Sequence, residues 1–319
     1  MTTLATLIGK INAATEDFLH RDEDGVARVS GYSFEGGGKR VGPHMLCLTL
    51  DALGRELDQE LIEISKAYEF MHMATLLHDD IIDGAELRRG REAAHLACGV
   101  PEVILAGDYL LAKAAGLGAQ SDNMDCVKTM SEVVAALSLG ELIQLEARRQ
   151  TDLPEDDYFK IIYRKTAALM EGAAKSAAIL AGAEGETLAA ATRYGRQFGL
   201  AFQVIDDILD YQGEQTTFGK PVGHDLDEGK ITLPFIKARD ALGDTRRTRL
   251  CELAEHEDLS VLEHEEISAL VREGGGVESA RLKADELIHE AVAALSHFPD
   301  SSARDNLAAL AVYTGSRDH

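Results

Sequence analysis

Basic residues are scarce in this chain. Thirty-two lysines and arginines stand against 55 aspartates and glutamates over 319 residues, a formal net charge of -23. That balance disfavours nucleic acid as a partner, because a phosphate backbone needs a basic surface. Much of the acid reads as solvated surface that aids solubility. An anionic ligand would have to be met by metal ions or by local groups of Lys and Arg. Cysteine is sparse too: Cys47, Cys98, Cys126 and Cys251 are scattered without CxxC spacing. This argues against a disulfide framework or a zinc site and fits a reducing cytosol. No uninterrupted apolar run reaches the ~18 residues of a membrane span. The opening MTTLATLIGK lacks the basic region and apolar run of a secretory leader. No Pro- or Ser-rich linker divides the chain. The expectation is a single cytoplasmic domain over residues 1–319, without a transmembrane segment.

Strand patterning is nearly absent as well, and hydrophobic residues at 45% supply material for a large core. Apolar spacing is helical. Ile64, Ala67, Met71, Ala74, Leu77 and Ile81 follow steps of three and four. Their neighbours Leu61, Phe70, Met73 and Leu76 are also apolar, so this helix should be central. Further helices are expected at 2–19, 43–53, 100–118, 124–149, 155–181, 186–212, 231–242, 260–272, 277–296 and 302–314, with turn chemistry at EGGGKR, QTDLPEDD, AGAEGE, REGGGVE and HFPDSS. DLPEDD reads as a helix start with Asp152 as N-cap. The fold class that follows is all-α.

Two acidic stretches interrupt apolar helices. In HDDIID, Asp79 and Asp83 lie one turn apart with Asp80 beside them, and His72 stands two turns upstream. In QVIDDILDY, Gln203, Asp206, Asp207 and Asp210 fall at i, i+3, i+4 and i+7, one helical stripe. A single DDxxD in so acidic a chain is matched by chance on a solvated face. Two matches, each inside an apolar helix, ask for another explanation. Like charges this close resist joint ionisation and need counter-charge. Mg²⁺ takes hard oxygen ligands and bridges carboxylates to phosphate oxygens. Cations stand near both clusters: Lys39 and Arg40 in GGGKR, Arg88 and Arg89 in LRRGRE, Lys165 with Thr166 in YRKTAA, and Lys220 and Lys230 in FGKPVGHDLDEGK. Each alone reads as surface charge; their placement beside the acids points to an anionic ligand.

GGGKR, HDDIID with RRG, the KT pair, QVIDDILD and GKPVGHDLDEGKITLP resemble the trans-isoprenyl diphosphate synthase (polyprenyl synthetase) family in order and spacing. The resemblance covers nearly the whole chain and is closest in pattern to octaprenyl-type long-chain synthases. It implies an all-α bundle of helices around a deep central cavity, Mg²⁺ as cofactor and a homodimer. The implied reaction joins isopentenyl diphosphate to an allylic prenyl diphosphate. Asp79, Asp80, Asp83, Asp206, Asp207 and Asp210 would act through metal on the allylic diphosphate. Arg88, Lys165, Gln203, Lys220 and Lys230 would contact that diphosphate, and Thr166 would shape the allylic site. Lys39, His72 and Arg89 would bind isopentenyl diphosphate.

One departure stands out. The family reads GGKRxRP, whereas this chain reads GGGKRVGP, so Gly42 replaces an arginine that grips isopentenyl diphosphate. The expectation is an active synthase with a relaxed second site, for which Arg40 is the candidate compensator. A partner subunit of a heteromeric synthase is the alternative. A terpene cyclase fits less well, because IDDILD and GGGKR have no place in one; a helical scaffold with solvated acid stripes is the plain alternative. Product length in the family follows cavity depth below the first cluster. Ala74 and Thr75 precede Asp79 by five and four residues, with Ala74 about 7 Å up the axis. Both are small, so a medium to long product is expected. A floor at Leu117 or Met130 would shorten it, with a short-chain farnesyl or geranylgeranyl diphosphate synthase as the alternative, and Met130 as plain core would not.

Overall fold

The computed structural model describes residues 9, 10, 12, 13, 15, 24–35, 40–212 and 223–316. In chain order the elements are α1 (Asp24–Glu35), α2 (Val41–Ala52), α3 (Gln59–Ile82), the hairpin β1 (Leu87–Arg88) and β2 (Arg91–Glu92), α4 (Ala94–Cys98), α5 (Val100–Ala119) and α6 (Met124–Glu146). Then come α7 (Glu155–Ile162), a π-helical turn (Tyr163–Ala167), α8 (Ala168–Leu180), α9 (Gly185–Gln212), α10 (His224–Asp227), α11 (Leu233–Ala241), α12 (Asp244–Ala254), α13 (Val261–Glu273), α14 (Gly276–Ala294), a 3₁₀ turn (Leu295–His297) and α15 (Ser302–Gly315). The all-α expectation holds. Among the described residues the one sheet is the two-stranded hairpin, with Leu87 opposite Glu92 and Arg88 opposite Arg91.

The chain divides into two compact units. One holds the described residues up to Ala135 with Leu169–Gly195 and Ala294–Leu307; the other holds Ala136–Ala168, Arg196–Ala293 and the chain from Ala308 onward. In the first unit α3 is the centre. Asp58 caps its start, accepting from Leu61 N at 2.9 Å and satisfying one of the amides a helix start leaves open. Ile64, Ala67, Phe70, Met71, Met73, Ala74 and Leu77 are all buried, against α5 and α2 above all. The helix stops at Gly84, whose positive φ of 63° allows the closing turn. Gly84 N donates to Ile81 O at 3.2 Å and Ala85 N to Asp80 O at 2.9 Å, the paired bonds of a Schellman ending. Tyr68, also on α3, is fully buried, and its hydroxyl donates to Gly172 O at 2.7 Å with Ser176 Oγ at the same distance.

In the second unit, α7 does not start at Asp152. Pro154 holds the N-cap position, and Glu155, Asp156 and Asp157 fill the first turn, where acid complements the helix dipole. The helix expected over 155–181 breaks at Tyr163–Ala167 into a π turn. There α6 comes so close that a Cβ on Gly140 would meet Lys165 N at 2.7 Å. Among the described residues, four helices and the hairpin were not foreseen: α1, α4, α10 and α12, with β1 and β2. The helix expected over 2–19 lies mostly outside the described residues.

Replacing Tyr68 by Phe removes a buried hydroxyl and leaves Gly172 O without that donor. The expected loss is about 1–3 kcal/mol of stability, read as a lower urea midpoint at unchanged slope.

Candidate active site

Asp79 and Asp80 lie in the last turn of α3, and Asp83 is its C-cap residue. A helix C-terminus already carries partial negative charge, so three carboxylates there raise the demand for cations. The hairpin answers it. Arg89 and Gly90 occupy its two-residue turn with φ of 53° and 75°, the positive-φ pair of a type I′ turn. This brings Arg88 Nη1 to 3.6 Å from Asp80 Oδ1, a carboxylate whose residue is only 6% exposed. Asp80, Arg88, Arg89 and Arg91 line one pocket with Tyr32, Leu76 and Glu92. The Arg91 guanidinium lies over the Tyr32 ring at 4.3 Å, a cation–π contact.

His72 is half-buried on α3. Burial holds its pKa down to about 4, helped by Arg88, Arg89 and Arg40. The imidazole is therefore neutral near pH 7 and offers a hydrogen bond rather than a charge. Arg40 precedes α2 in a left-handed conformation, φ 49°. It turns inward: Nη1 pairs with Glu69 Oε1 at 2.7 Å, Nη2 donates to Phe34 O at 3.3 Å, and the guanidinium carbon sits 3.9 Å from the centre of the Phe34 ring. Gly42 is buried where α2 meets α3, and a Cβ there would lie 3.2 Å from Tyr68 Cβ. Lys39 and Lys220 lie outside the described residues.

The second unit gathers the other set. Gln203, Asp206, Asp207 and Asp210 occupy the C-terminal part of α9, again where the dipole is negative. Asp207 is 3% exposed. Tyr158 Oη donates to its Oδ2 at 2.6 Å and Gln203 Nε2 to its Oδ1 at 2.8 Å. Thr166 Oγ1 donates to Gln203 Oε1 at 2.7 Å, so the π turn reaches Asp207 through Gln203. Lys165, in the same turn, pairs with Glu141 Oε2 at 2.6 Å. Lys230 pairs with Glu228. Asp210 Oδ2 accepts from Asp225 N at 3.2 Å. Lys165, Gln203, Asp207, Lys230 and Asp225 line a single pocket with Tyr158 and Gln144. Burial pushes the Asp207 carboxyl well above the usual carboxylate range, and Asp225 and Asp206 push the same way.

Sequence reading missed Tyr158, Glu141 and Asp225. Asp225 lay in the quoted stretch GHDLDEGK, but nothing in its spacing tied it to Asp207. Tyr158 and Glu141 lie in other helices, and their partners are set by the fold alone.

The donor chemistry fits a divalent cation. The crowded groups are hard carboxylate oxygens, and Asp207 is short of positive charge. Among the described residues no group of three or more His, Cys, Asp or Glu side chains is gathered tightly enough to hold an ion alone.

An all-α scaffold with aspartates ending two helices, each group beside arginine or lysine, defines an enzyme class that handles an anionic leaving group. The chain belongs to the polyprenyl synthetase family, whose model matches residues 23–271. It is 35% identical over 308 residues to octaprenyl diphosphate synthase of Escherichia coli K12, covering 97% of this chain and 95% of that protein. It is 38% identical over 282 residues to a Rhodobacter capsulatus all-trans-nonaprenyl-diphosphate synthase described as geranyl-diphosphate specific, covering 88% and 86%. A solved polyprenyl synthase from Caulobacter crescentus CB15, complexed with calcium and isoprenyl diphosphate, superposes with a TM-score of 0.92 at 32% identity, covering 99% of this chain and 96% of that one.

Asp207→Asn keeps the shape and removes the crowded charge. The metal-free melting temperature is expected to stay level or rise, while the rise produced in wild-type protein by Mg²⁺ with inorganic diphosphate is lost. Differential scanning calorimetry with and without the ions reads both.

Proposed function

We propose that this prenyltransferase condenses isopentenyl diphosphate with an allylic prenyl diphosphate, in the presence of Mg²⁺, to give an all-trans product of medium to long chain. The observation that carries the reading is the pocket where buried Asp207 meets Asp225, Lys165, Lys230 and Gln203. Mg²⁺ held by Asp79, Asp80, Asp83, Asp206, Asp207 and Asp210 would supply Lewis-acid stabilisation of the leaving diphosphate. Arg88, Lys165, Lys220 and Lys230 take up charge as the allylic C–O bond breaks and the diphosphate departs. Gln203, fixed by Thr166, orients the site. The isopentenyl double bond attacks the allylic cation, forming the new C–C bond. One proton is then lost, and the departing diphosphate accepts it. Apolar side chains keep water from the cation.

Isopentenyl diphosphate is assigned to Lys39, His72 and Arg89. His72 serves as a neutral donor there. Arg40 already meets Glu69 and Phe34, which supports a relaxed second site rather than full compensation for Gly42. A missing charge-assisted contact is worth about 1.5–3 kcal/mol, so a raised KM for isopentenyl diphosphate belongs to this reading.

Chain length rests on Ala74 and Thr75. Ala74 is buried, and the Thr75 hydroxyl turns back to His72 O at 2.8 Å, so neither presents a bulky group. Leu117 and Met130 are buried too. Met130 packs over Gly118, its Sδ 2.6 Å from where a Cβ would stand, which supports Met130 as core. A homodimer is part of the proposal, supported by the exposed Val100, Ile104 and Leu105 of α5. A reducing, cytoplasmic setting is supported by Cys47, Cys98, Cys126 and Cys251, all unpaired as disulfides; no described helix is long and apolar enough to cross a membrane.

Radiolabelled isopentenyl diphosphate with Mg²⁺ and geranyl, farnesyl or geranylgeranyl diphosphate in turn is expected to yield a ladder ending at hexaprenyl or longer. A farnesyl or geranylgeranyl endpoint would overturn the length, and no incorporation would overturn the activity. Asp79→Ala and Asp206→Ala should each lower kcat by about 10²–10³. Leu105→Glu should convert the dimer to monomer in size-exclusion light scattering.

A further inference from the structure

Arg149 lies just beyond α6, in a left-handed conformation with φ 57°. That backbone is uncommon for a residue with a side chain. It sends the chain against the loop that follows α10. The Arg149 amide donates to Gly229 O at 2.8 Å. Its Nη2 donates to Asp227 O and to Glu257 O, each at 3.2 Å, and its Nη1 to Ala254 O at 3.4 Å and to His256 O. One side chain thus meets four backbone carbonyls. Three of them, from Ala254, His256 and Glu257, lie at and beyond the end of α12, where helices leave carbonyls without partners. The fourth belongs to the loop that carries Asp225 and Lys230.

Capping α12 accounts for the first three contacts and leaves the loop contacts unexplained. Those continue toward the pocket. Lys230 N donates to Asp225 O at 2.7 Å and Gly229 N to Leu226 O at 2.9 Å, so Asp225–Lys230 forms one tight turn. Gly229 has φ 73°, and a Cβ there would meet Arg149 Cγ at 3.0 Å. At the other end, Asp225 N donates to Asp210 Oδ2 and Gly223 N to Asp210 O at 3.1 Å. His264 Nε2 also meets the Asp227 carboxylate, at 2.8 Å. Asp225 and Lys230 therefore share one piece of backbone, Asp210 of α9 is hydrogen-bonded to it, and Arg149 ties that piece to α12.

We propose that Arg149 is a positioning residue: by clasping the Asp225–Lys230 loop to the end of α12, it fixes Asp225, Lys230 and Asp210 for the allylic diphosphate. The inference rests on the functional reading above for its ligand, and on geometry alone for the clasp. Arg149 is not among the residues that line the pocket; its amide bonds to Gly229, which is. A site held loosely by an ångström loses binding and rate steeply.

The test compares wild-type protein with Arg149→Met, which keeps bulk and removes all five N–H donors, and with Arg149→Lys, which restores charge and part of the donor set. Tyr194→Phe serves as a stability control, because it removes a buried hydroxyl that donates to Leu307 O at 2.8 Å, in the other compact unit. Amide hydrogen exchange of residues 225–230, measured without ligand, judges the clasp. Isothermal titration of farnesyl diphosphate with Mg²⁺, beside the KM for isopentenyl diphosphate, judges its effect. In Arg149→Met, exchange at Gly229 and Lys230 should quicken at least tenfold, and the Kd for farnesyl diphosphate should rise about tenfold to hundredfold. The isopentenyl diphosphate KM should stay within about twofold. Arg149→Lys should fall between, and Tyr194→Phe should match wild type in all three. Unchanged exchange in Arg149→Met, or an affinity that shifts no further than in Tyr194→Phe, overturns the inference alone. Wild-type protein that binds no farnesyl diphosphate overturns the reading of the site and the inference with it, while the exchange data still decide whether the clasp exists.

Discussion

The structure places carboxylates where the backbone is already negative. Asp79, Asp80 and Asp83 end α3, and Asp206, Asp207 and Asp210 fall near the end of α9. Neither helix gains stability from these groups, because a helix terminus of this polarity favours cations. Burial worsens the conflict, with Asp80 and Asp207 almost closed to solvent. The surrounding chemistry follows from relieving it. Arg88 comes to Asp80 from a hairpin whose turn has two left-handed residues. Tyr158 and Gln203 take the two oxygens of Asp207. These neutral donors satisfy oxygens without cancelling charge, so Asp207 remains pushed toward its protonated form. Such a site is poised toward losing its charge, and the divalent ion proposed above, arriving with its own anion, would relieve it.

Most of the helical framework was legible from spacing. α3, α5, α9 and α13–α15 carry enough apolar residues at helical intervals to be read directly. α12 was not, because DTRRTRLCELA buries only Leu250, Leu253 and Ala254 and its other positions are polar. The acid stripes were legible because both clusters are local: four or five residues on one helix face. What accompanies them was not. Tyr158 reaches Asp207 across 49 positions and Glu141 reaches Lys165 from another helix, and no periodicity encodes such a meeting. The π turn was hidden for a related reason. YRKTA has ordinary helical composition, and the extra residue is accommodated by Gly140 on a different element. Asp152 looked like a cap because its side chain suits one, but Pro154 fixes where the backbone can enter the helix.

The region around Gly42 shows the same interplay between packing and grip. The absent arginine reads, in sequence, as a lost contact. In the structure the position has a second meaning, because α2 approaches α3 at Tyr68 closely enough that even a Cβ requires a few tenths of an ångström of adjustment. Tyr68 cannot give way freely, since its hydroxyl is committed to Gly172 and Ser176. Arg40 is likewise committed. It neutralises Glu69, which burial pushes toward protonation, and Glu69 Oε2 has no hydrogen-bond partner among the described residues. Withdrawing Arg40 toward a ligand would leave that buried carboxylate alone, a cost of several kcal/mol. His72 adds no charge, because the nearby arginines and burial keep it neutral. The cations of the pocket that Asp80 lines are Arg88, Arg89 and Arg91, with Arg88 already turned to Asp80 and Arg91 lying over the Tyr32 ring. Arg89 lines that pocket beside Arg88 and Arg91 and is the residue assigned above to the second diphosphate. Its own guanidinium is half-buried beside two other arginines, which weakens its hold on its proton and makes an incoming anion the partner that best relieves the crowding.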